Sequence, residues 1–394
     1  MGKEFWEKSR EETPGCKNVL HFNSAGASLM PLPVFDAIHQ HLQLELEIGG
    51  YEAHNQNLEK IEHVYDAAAK MLNCNRDEIA FIENATRAWD MAFYSIPFQP
   101  GDRILTAQAE YASNYIAFLQ VARKTGAVID VVPSDESGAV SVDALLETID
   151  KRVKLIAITH VPTNGGLVNP AAEIGKIARE AGILFLLDAC QSAGQMPLDV
   201  KRLGCNLLSA TGRKFLRGPR ATGFLYIDKN IIENLEPAFL DLHAATWTAP
   251  ENYEIRSDAR RFENWEQNFA GKIGLASSID YAMQWGLENI YERIQHLAEL
   301  LRNKLSEIPG AEVHDLGKEK CGIVTFAIAR HDPDEIKREL TKRKINVTTT
   351  TTSSTLLDME SRKLDKLVRA SVHYFNTDQE VDQFCRVITE LTAL

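Results

Sequence analysis

From about residue 79 to residue 227, short apolar runs alternate with stretches whose apolar residues recur at helical spacing. Ile79–Glu83, Arg103–Thr106, Ala127–Val132, Val153–Thr159, Ile183–Leu187 and Asn206–Ala210 read as buried strands. Ser113–Lys124 and Pro170–Ala181 carry helical patterns, the second with Asn169 as N-cap and Pro170 at the first helical position. This alternation predicts an α/β fold, a mostly parallel sheet with helices on both faces. Ligands of such sheets bind outside the carboxyl ends of the strands, so chemistry is sought there.

Beyond residue 227 the rhythm changes. Asn268–Gly286 and Leu287–Ile308 read as long helices, followed by a shorter set at Gly322–Ile328, Asp332–Lys344, Ile345–Thr350, Leu367–Val372 and Asp378–Leu391. Two domains are expected: a large α/β domain over 18–285, and a smaller α+β domain over 286–394 joined by residues 1–17. Thr348–Thr355 consists of Thr and Ser alone. It reads equally as a wall of a substrate entrance or as an exposed connection.

Composition narrows the function classes. A net charge of −12 with no long basic block argues against nucleic-acid binding, which needs clustered Lys and Arg. The longest unbroken apolar runs, Ile183–Leu187 among them, are far short of a membrane span. The first residues lack the apolar core of a signal peptide, and Trp6 stands where a myristoylation motif wants Ser or Thr. The six cysteines contain no CxxC pair, so neither a metal site nor a disulfide scaffold is expected. A cytoplasmic protein without membrane association follows as the expectation. His39-x-His41 is read as solvated rather than metal-bound.

Two residues at the predicted strand ends carry the first chemical signal. Asp188 closes the Ile183–Leu187 strand, and Lys214 follows Asn206–Ala210 through Thr211-Gly212-Arg213. An acid and a lysine on adjacent strand ends suit pyridoxal phosphate. Its aldehyde needs a lysine, and its pyridine nitrogen needs a carboxylate that keeps it protonated. The spacing by itself leaves an ordinary solvated amine equally open. Between Ile79–Glu83 and the next helix, Asn84-Ala85-Thr86 would offer free N–H groups to an anion. G-x-G-x-x-G, P-loop and G-x-S-x-G motifs are absent, which argues against nucleotide-dependent enzymes and serine hydrolases.

The chain resembles the class V aminotransferases, the fold-type-I group of pyridoxal phosphate enzymes that includes cysteine desulfurases, isopenicillin N epimerase-like proteins and carbon–sulfur lyases. The resemblance runs from His21-Phe22-Asn23-Ser24-Ala25-Gly26 to Arg369-Ala370-Ser371. It is carried by His160–Gly166, Asp188–Gly194, Thr211–Lys214 with Gly218-Pro219, and Arg261-Phe262-Glu263. It implies a large domain with a seven-stranded, mostly parallel sheet, and a homodimer with sites at the interface. Lys214 would hold the cofactor and shuttle protons, Asp188 would pair with the pyridine nitrogen, and Gln191 would bond the phenolic oxygen. Ala85, Thr86, Thr211 and Arg213 fall where the phosphate is held. Tyr111 replaces the usual stacking histidine, and Thr163 or Asn164 lies near the phenolic oxygen or the substrate. Arg369 matches the arginine that clamps the substrate carboxylate, with Asn23 and Tyr51 also near substrate, Tyr51 in its own or a partner's site.

Departures from the family pattern shape the remaining expectations. Desulfurases carry a nucleophilic cysteine late in the smaller domain, and Thr348–Lys366 has none here. Persulfide-forming desulfurase activity is therefore not expected. Arg213 replaces a histidine, and Glu266 replaces a threonine that reaches the partner's phosphate, so Arg213 or Arg217 is expected to pair with Glu266. The resemblance implies an enzyme that binds an amino acid as a Schiff base and removes its Cα proton. Family analogy favours β-elimination by a carbon–sulfur lyase over transamination or epimerisation. A catalytically silent binding protein is disfavoured because both Lys214 and Asp188 are present.

Overall fold

The computed structural model describes residues 4–392. Its centre is a seven-stranded sheet of β1 (Ile79–Ile82), β2 (Arg103–Ala107), β3 (Val128–Val132), β4 (Val153–Thr159), β5 (Leu184–Asp188), β6 (Leu207–Thr211) and β7 (Gly223–Ile227). The spatial order is β1-β7-β6-β5-β4-β2-β3. β7 alone runs antiparallel to its neighbours, so the sheet is mostly parallel.

Alternation along the strands builds two cores. On β4, Ile156 and Ile158 face one cluster while Leu155 and Ala157 face the other. The flanking helices are α1 (Leu32–Ile48), α2 (Leu58–Leu72), α3 (Ala85–Tyr94), α4 (Ala112–Thr125), α5 (Ala171–Ala181) and α6 (Phe269–Trp285). Trp89 and Phe93 of α3 with Phe118 of α4 fill one cluster. Val64 and Leu72 of α2, Ile174 of α5 and Leu275 of α6 fill the other. The second cluster continues into the smaller sheet through Ile294, Val324 and Phe326.

That sheet is antiparallel, in the order β8 (Ala311–Val313), β9 (Ile323–Ile328), β11 (Lys366–Ser371), β10 (Thr348–Thr351). Helices α7 (Leu287–Ser306) and α8 (Asp378–Thr392) pack beside it. The amino-terminal chain joins this end. Leu20–His21 pairs with Ile345–Asn346, Phe5 packs against Trp285 and Tyr374, and Arg10 bonds Glu380 at 2.6 Å. No helix among the described residues is long and apolar enough to cross a membrane.

Some local expectations are corrected. The cap of α5 is Pro170, because the Asn169 side chain is used elsewhere. It accepts from Val140 N at 3.1 Å and donates to Thr159 O at 2.8 Å. His39 is exposed, but His41 is buried and bonds Asn57 at 3.0 Å, so it is not solvated. An exposed ribbon, Ala245–Ala249 with Asn252–Ile255, has no counterpart among the predicted strands.

Candidate active site

A cavity of about 210 Å³ opens where β4, β5 and β6 end, lined by the last residue of each strand, Thr159, Asp188 and Thr211. Lys214 lines the same cavity from the loop after β6. That loop is held at its neck, where Gly212 N–H donates to Thr222 O at 2.9 Å and Gly218 N–H to Gly212 O at 2.8 Å. The turn after β5 presses against it at Gly194. There φ is +90°, and a Cβ would lie 2.4 Å from the carbonyl carbon of Phe215. Only glycine meets both demands.

Asp188 is buried and fixed on both oxygens. Oδ1 accepts from Cys190 N–H at 2.8 Å and Oδ2 from Asn114 Nδ2 at 3.0 Å. Burial raises its pKa, opposed by the bonds from Asn114 and Cys190 and by the Lys214 charge. Cys190 also lines the cavity. Burial raises its thiol pKa, and the nearby Lys214 charge works against that rise. Gln191 donates to Ala25 O at 3.2 Å and Thr163 Oγ1 at 3.4 Å, while its buried Oε1 has no partner.

The opposite end is shaped for an anion. Asn84 caps α3 by accepting Arg87 N–H at 3.0 Å, and Asn84, Ala85 and Thr86 line the cavity at the amino end of the helix. Thr211 and Arg213 line it too. The Thr211 hydroxyl donates to Thr222 O at 3.2 Å, and the Arg213 guanidinium bonds Gly26 O. Tyr111 lines the cavity as the residue preceding α4.

Arg369, on β11, is buried and donates to both the backbone and the hydroxyl oxygen of Thr163, the former at 3.1 Å. Its Nε has no partner. Burial lowers its pKa to about 10, with the Arg213 charge acting in the same direction. A buried cation without an acid partner is costly unless a ligand supplies the anion.

Other expected residues lie apart. Thr163 lines the cavity, but Asn164 is committed to the Thr/Ser segment. It donates to Thr355 Oγ1 at 2.8 Å and accepts from the Thr350 hydroxyl. Asn23 folds over Gly26, its buried Oδ1 unpartnered. Tyr51 is 76% exposed and outside the cavity of its own chain. The expected pairing of Glu266 with Arg213 or Arg217 is not formed. Glu266 is exposed, whereas Arg217 is buried and bonded to Ser9, Thr13, Leu29 O and Tyr374. Arg217 anchors the amino-terminal segment instead.

Sequence reasoning missed Glu110 and Asn114, which form a buried network with Asp188. Their separation of four residues across a helix start was the available signal, because it stacks side chains on one face. Cys190 was also passed over, although its place inside Asp188–Gly194 put it beside the acid.

A lysine and a hydrogen-bonded acid on neighbouring strand ends, a helix start for an anion and an orphaned buried amide oxygen together fit pyridoxal phosphate. Lys214, Asp188, Gln191 and the amides at Ala85 and Thr86 are the groups that would hold it. They define a pyridoxal phosphate enzyme on an α/β scaffold.

Comparison with known proteins agrees. The family model described as aminotransferase class-V matches residues 20–384. A protein of Pyrococcus abyssi named "probable cysteine desulfurase" is 30% identical, covering 98% of this chain and 97% of its own. One of the same name from Methanothermobacter thermautotrophicus is 28% identical, covering 98% of each chain. The solved apo structure of a cysteine desulfurase from Thermococcus onnurineus NA1 superposes with a TM-score of 0.92 at 27% identity, over 98% of each chain. The chain belongs to the class V aminotransferase family, whose cofactor is pyridoxal phosphate.

These relatives overturn one expectation. Excluding a persulfide-forming cysteine desulfurase is contradicted, because proteins of that name are similar over almost the whole chain. The exclusion rested on one cysteine-free interval, Thr348–Lys366. Cys190, which lies outside that interval, lines the cavity.

Proposed function

We propose that this enzyme breaks the carbon–sulfur bond of cysteine or an S-substituted cysteine. The observation that carries the reading is a cavity lined by both Lys214 and Asp188, with a buried guanidinium lacking an acid partner, Arg369, bonded to the cavity residue Thr163. The cysteine-class substrate is supported by the names of the relatives.

When bound, pyridoxal phosphate supplies an electron sink for the bonding electrons released at the amino acid's Cα. Lys214 Nζ would hold the cofactor and, when free, is the amine in the cavity that would take the Cα proton. Asp188, with two of its acceptor sites filled by Asn114 and Cys190, offers the remainder to the ring N–H. Arg369 receives the substrate carboxylate, and its bonds to Thr163 fix the guanidinium plane before substrate arrives. Tyr111 would stack on the cofactor ring, and Arg213 with Thr86 would hold its phosphate.

The test incubates the purified holoenzyme with L-cysteine and S-substituted cysteines. Alanine with released sulfur, or pyruvate with ammonia, supports the reading, and the Lys214→Ala variant should form neither. Turnover that requires a keto-acid acceptor, with the sulfur retained, would overturn it in favour of transamination.

The same reading includes a homodimer. Leu46, Tyr51 and Trp247 are 79%, 76% and 78% exposed, a cost that a second copy would remove. Sedimentation should give twice the mass of the 44.1 kDa chain, and a monomer at micromolar concentration would refute it.

A further inference from the structure

We propose that Glu110 is a positioning residue that acts through Asn114 on Asp188 and strengthens the hold of Asp188 on the protonated ring nitrogen of the cofactor. This rests on the assignment of Asp188 to that nitrogen.

Glu110 is buried, and the active-site reading leaves it without a task. Its two oxygens take five donors from three elements. Oε1 accepts from Tyr111 N–H at 2.9 Å, Asn114 Nδ2 at 2.8 Å and the Thr159 hydroxyl. Oε2 accepts from Thr159 N–H at 3.0 Å and Thr106 Oγ1 at 3.1 Å. A carboxylate so surrounded is held as an acceptor, although burial lifts its pKa to about 7.

Asn114 is the link. Its amide nitrogen has two hydrogens, and its two acceptors are Glu110 Oε1 at 2.8 Å and Asp188 Oδ2 at 3.0 Å. The amide therefore cannot turn its oxygen toward either acid without setting two acceptors against each other. With one hydrogen spent on Glu110, the other is aimed at Asp188 and fixes the carboxylate plane. Cys190 N–H fixes the second oxygen.

The charge of Glu110 adds a second effect. Two buried carboxylates joined by one amide repel through a low-dielectric medium, and the Asp188 charge is felt at Glu110. Repulsion makes Asp188 a better base and strengthens its charge-assisted bond to a ring N–H⁺. A carboxylate at Glu110 serves this purpose. A neutral amide of the same shape would not.

The experiment compares affinities of the full-length apo chain for pyridoxal phosphate and for its 1-deaza analogue, whose ring carries C–H in place of nitrogen. Both are followed by the absorption of the lysine adduct. Glu110→Gln, Asn114→Ala and Asp188→Ala are measured beside wild type. The preference of wild type for the nitrogen ring should fall about tenfold in Glu110→Gln and in Asn114→Ala, the worth of one bond to a charged group. It should vanish in Asp188→Ala. Equal weakening of both cofactors in the first two variants, or an unchanged ratio, would overturn the role given to Glu110. A wild type with no preference overturns it at its root, in the assignment of Asp188. No amino acid enters the assay, so failure of the carbon–sulfur reading leaves its result intact.

Discussion

Arg369→Met exchanges a buried guanidinium for a side chain of similar length without charge. The charges acting on Arg369 come from Arg213, Tyr111 and Cys321, none of them a carboxylate. Holding this group at about 10 rather than 12.5 costs the folded apo chain about 3 kcal/mol. The sign follows from linkage: a base with a lowered folded pKa pays the full cost at neutral pH and recovers it as pH rises through 10 toward 12.5. The variant also loses the bonds to Thr163, worth about 1–2 kcal/mol together. The balance predicts apo protein stabilised by about 1–2 kcal/mol at pH 7.5, read as a higher urea midpoint. Activity should move the other way. Loss of a bidentate bond to the substrate carboxylate lowers kcat/KM by about a hundredfold. Arg369→Lys should recover only part of this, because an ammonium keeps the charge and loses the fork. A less stable Met variant with undiminished turnover would refute the reasoning and make Arg369 a structural staple on Thr163.

Gly194→Ala should destabilise by about 3 kcal/mol or more, because φ is +90° and the new Cβ meets Phe215 backbone at 2.4 Å. The displaced lysine loop should also slow borohydride-trappable cofactor uptake. Phe118→Ala, which empties a ring site among Trp89, Phe93 and Tyr115, should cost about 3–5 kcal/mol in urea unfolding, and a loss below 1 kcal/mol would show the site collapses. His21 and His160 are held neutral by burial, both at about 4, with His373 well below its usual value. The unfolded chain takes up protons first, so these three lose about 3 kcal/mol of stability between pH 6.5 and 5.5. Glu110, raised to about 7, returns about 1 kcal/mol over the same interval because the folded state keeps its proton. A net loss of about 2 kcal/mol in apo unfolding is expected, and a flat profile would contradict buried neutral imidazoles.

Much of the sheet was legible because most of its strands, all but the edge strand β3, are largely buried on both faces and bounded by turn residues. All six predicted strands are present, no end moved by more than one residue: Ile183–Leu187 is observed as Leu184–Asp188, and Val153–Thr159 is observed as predicted. β7 was not resolved as a strand by pattern, because Gly223–Ile227 follows a loop rather than a helix and breaks the rhythm. The ribbon at Ala245–Ala249 escaped because most of its side chains are exposed, leaving no alternation against a core. In the site, Lys214, Asp188 and the Asn84–Thr86 turn were readable as strand-end chemistry. Glu110 was not, because a lone acid after a strand looks like a surface residue until three elements close over it. The fate of Arg217 was equally hidden, since its partners Ser9, Thr13 and Tyr374 are remote in sequence.

The reversed direction of β7 has a consequence for turnover. A parallel neighbour to β6 would need a crossover of a dozen or more residues, leaving the site edge to return from the far side. An antiparallel one returns at the same edge after residues 212–222, pairing Gly223 with Thr211 and also with Ile82 of β1. The segment bearing the lysine is therefore a short return loop clamped by two strands of the sheet. Its geometry is set when the protein folds, so the Lys214 amine is presented to the cavity already positioned, the arrangement that preorganised chemistry requires.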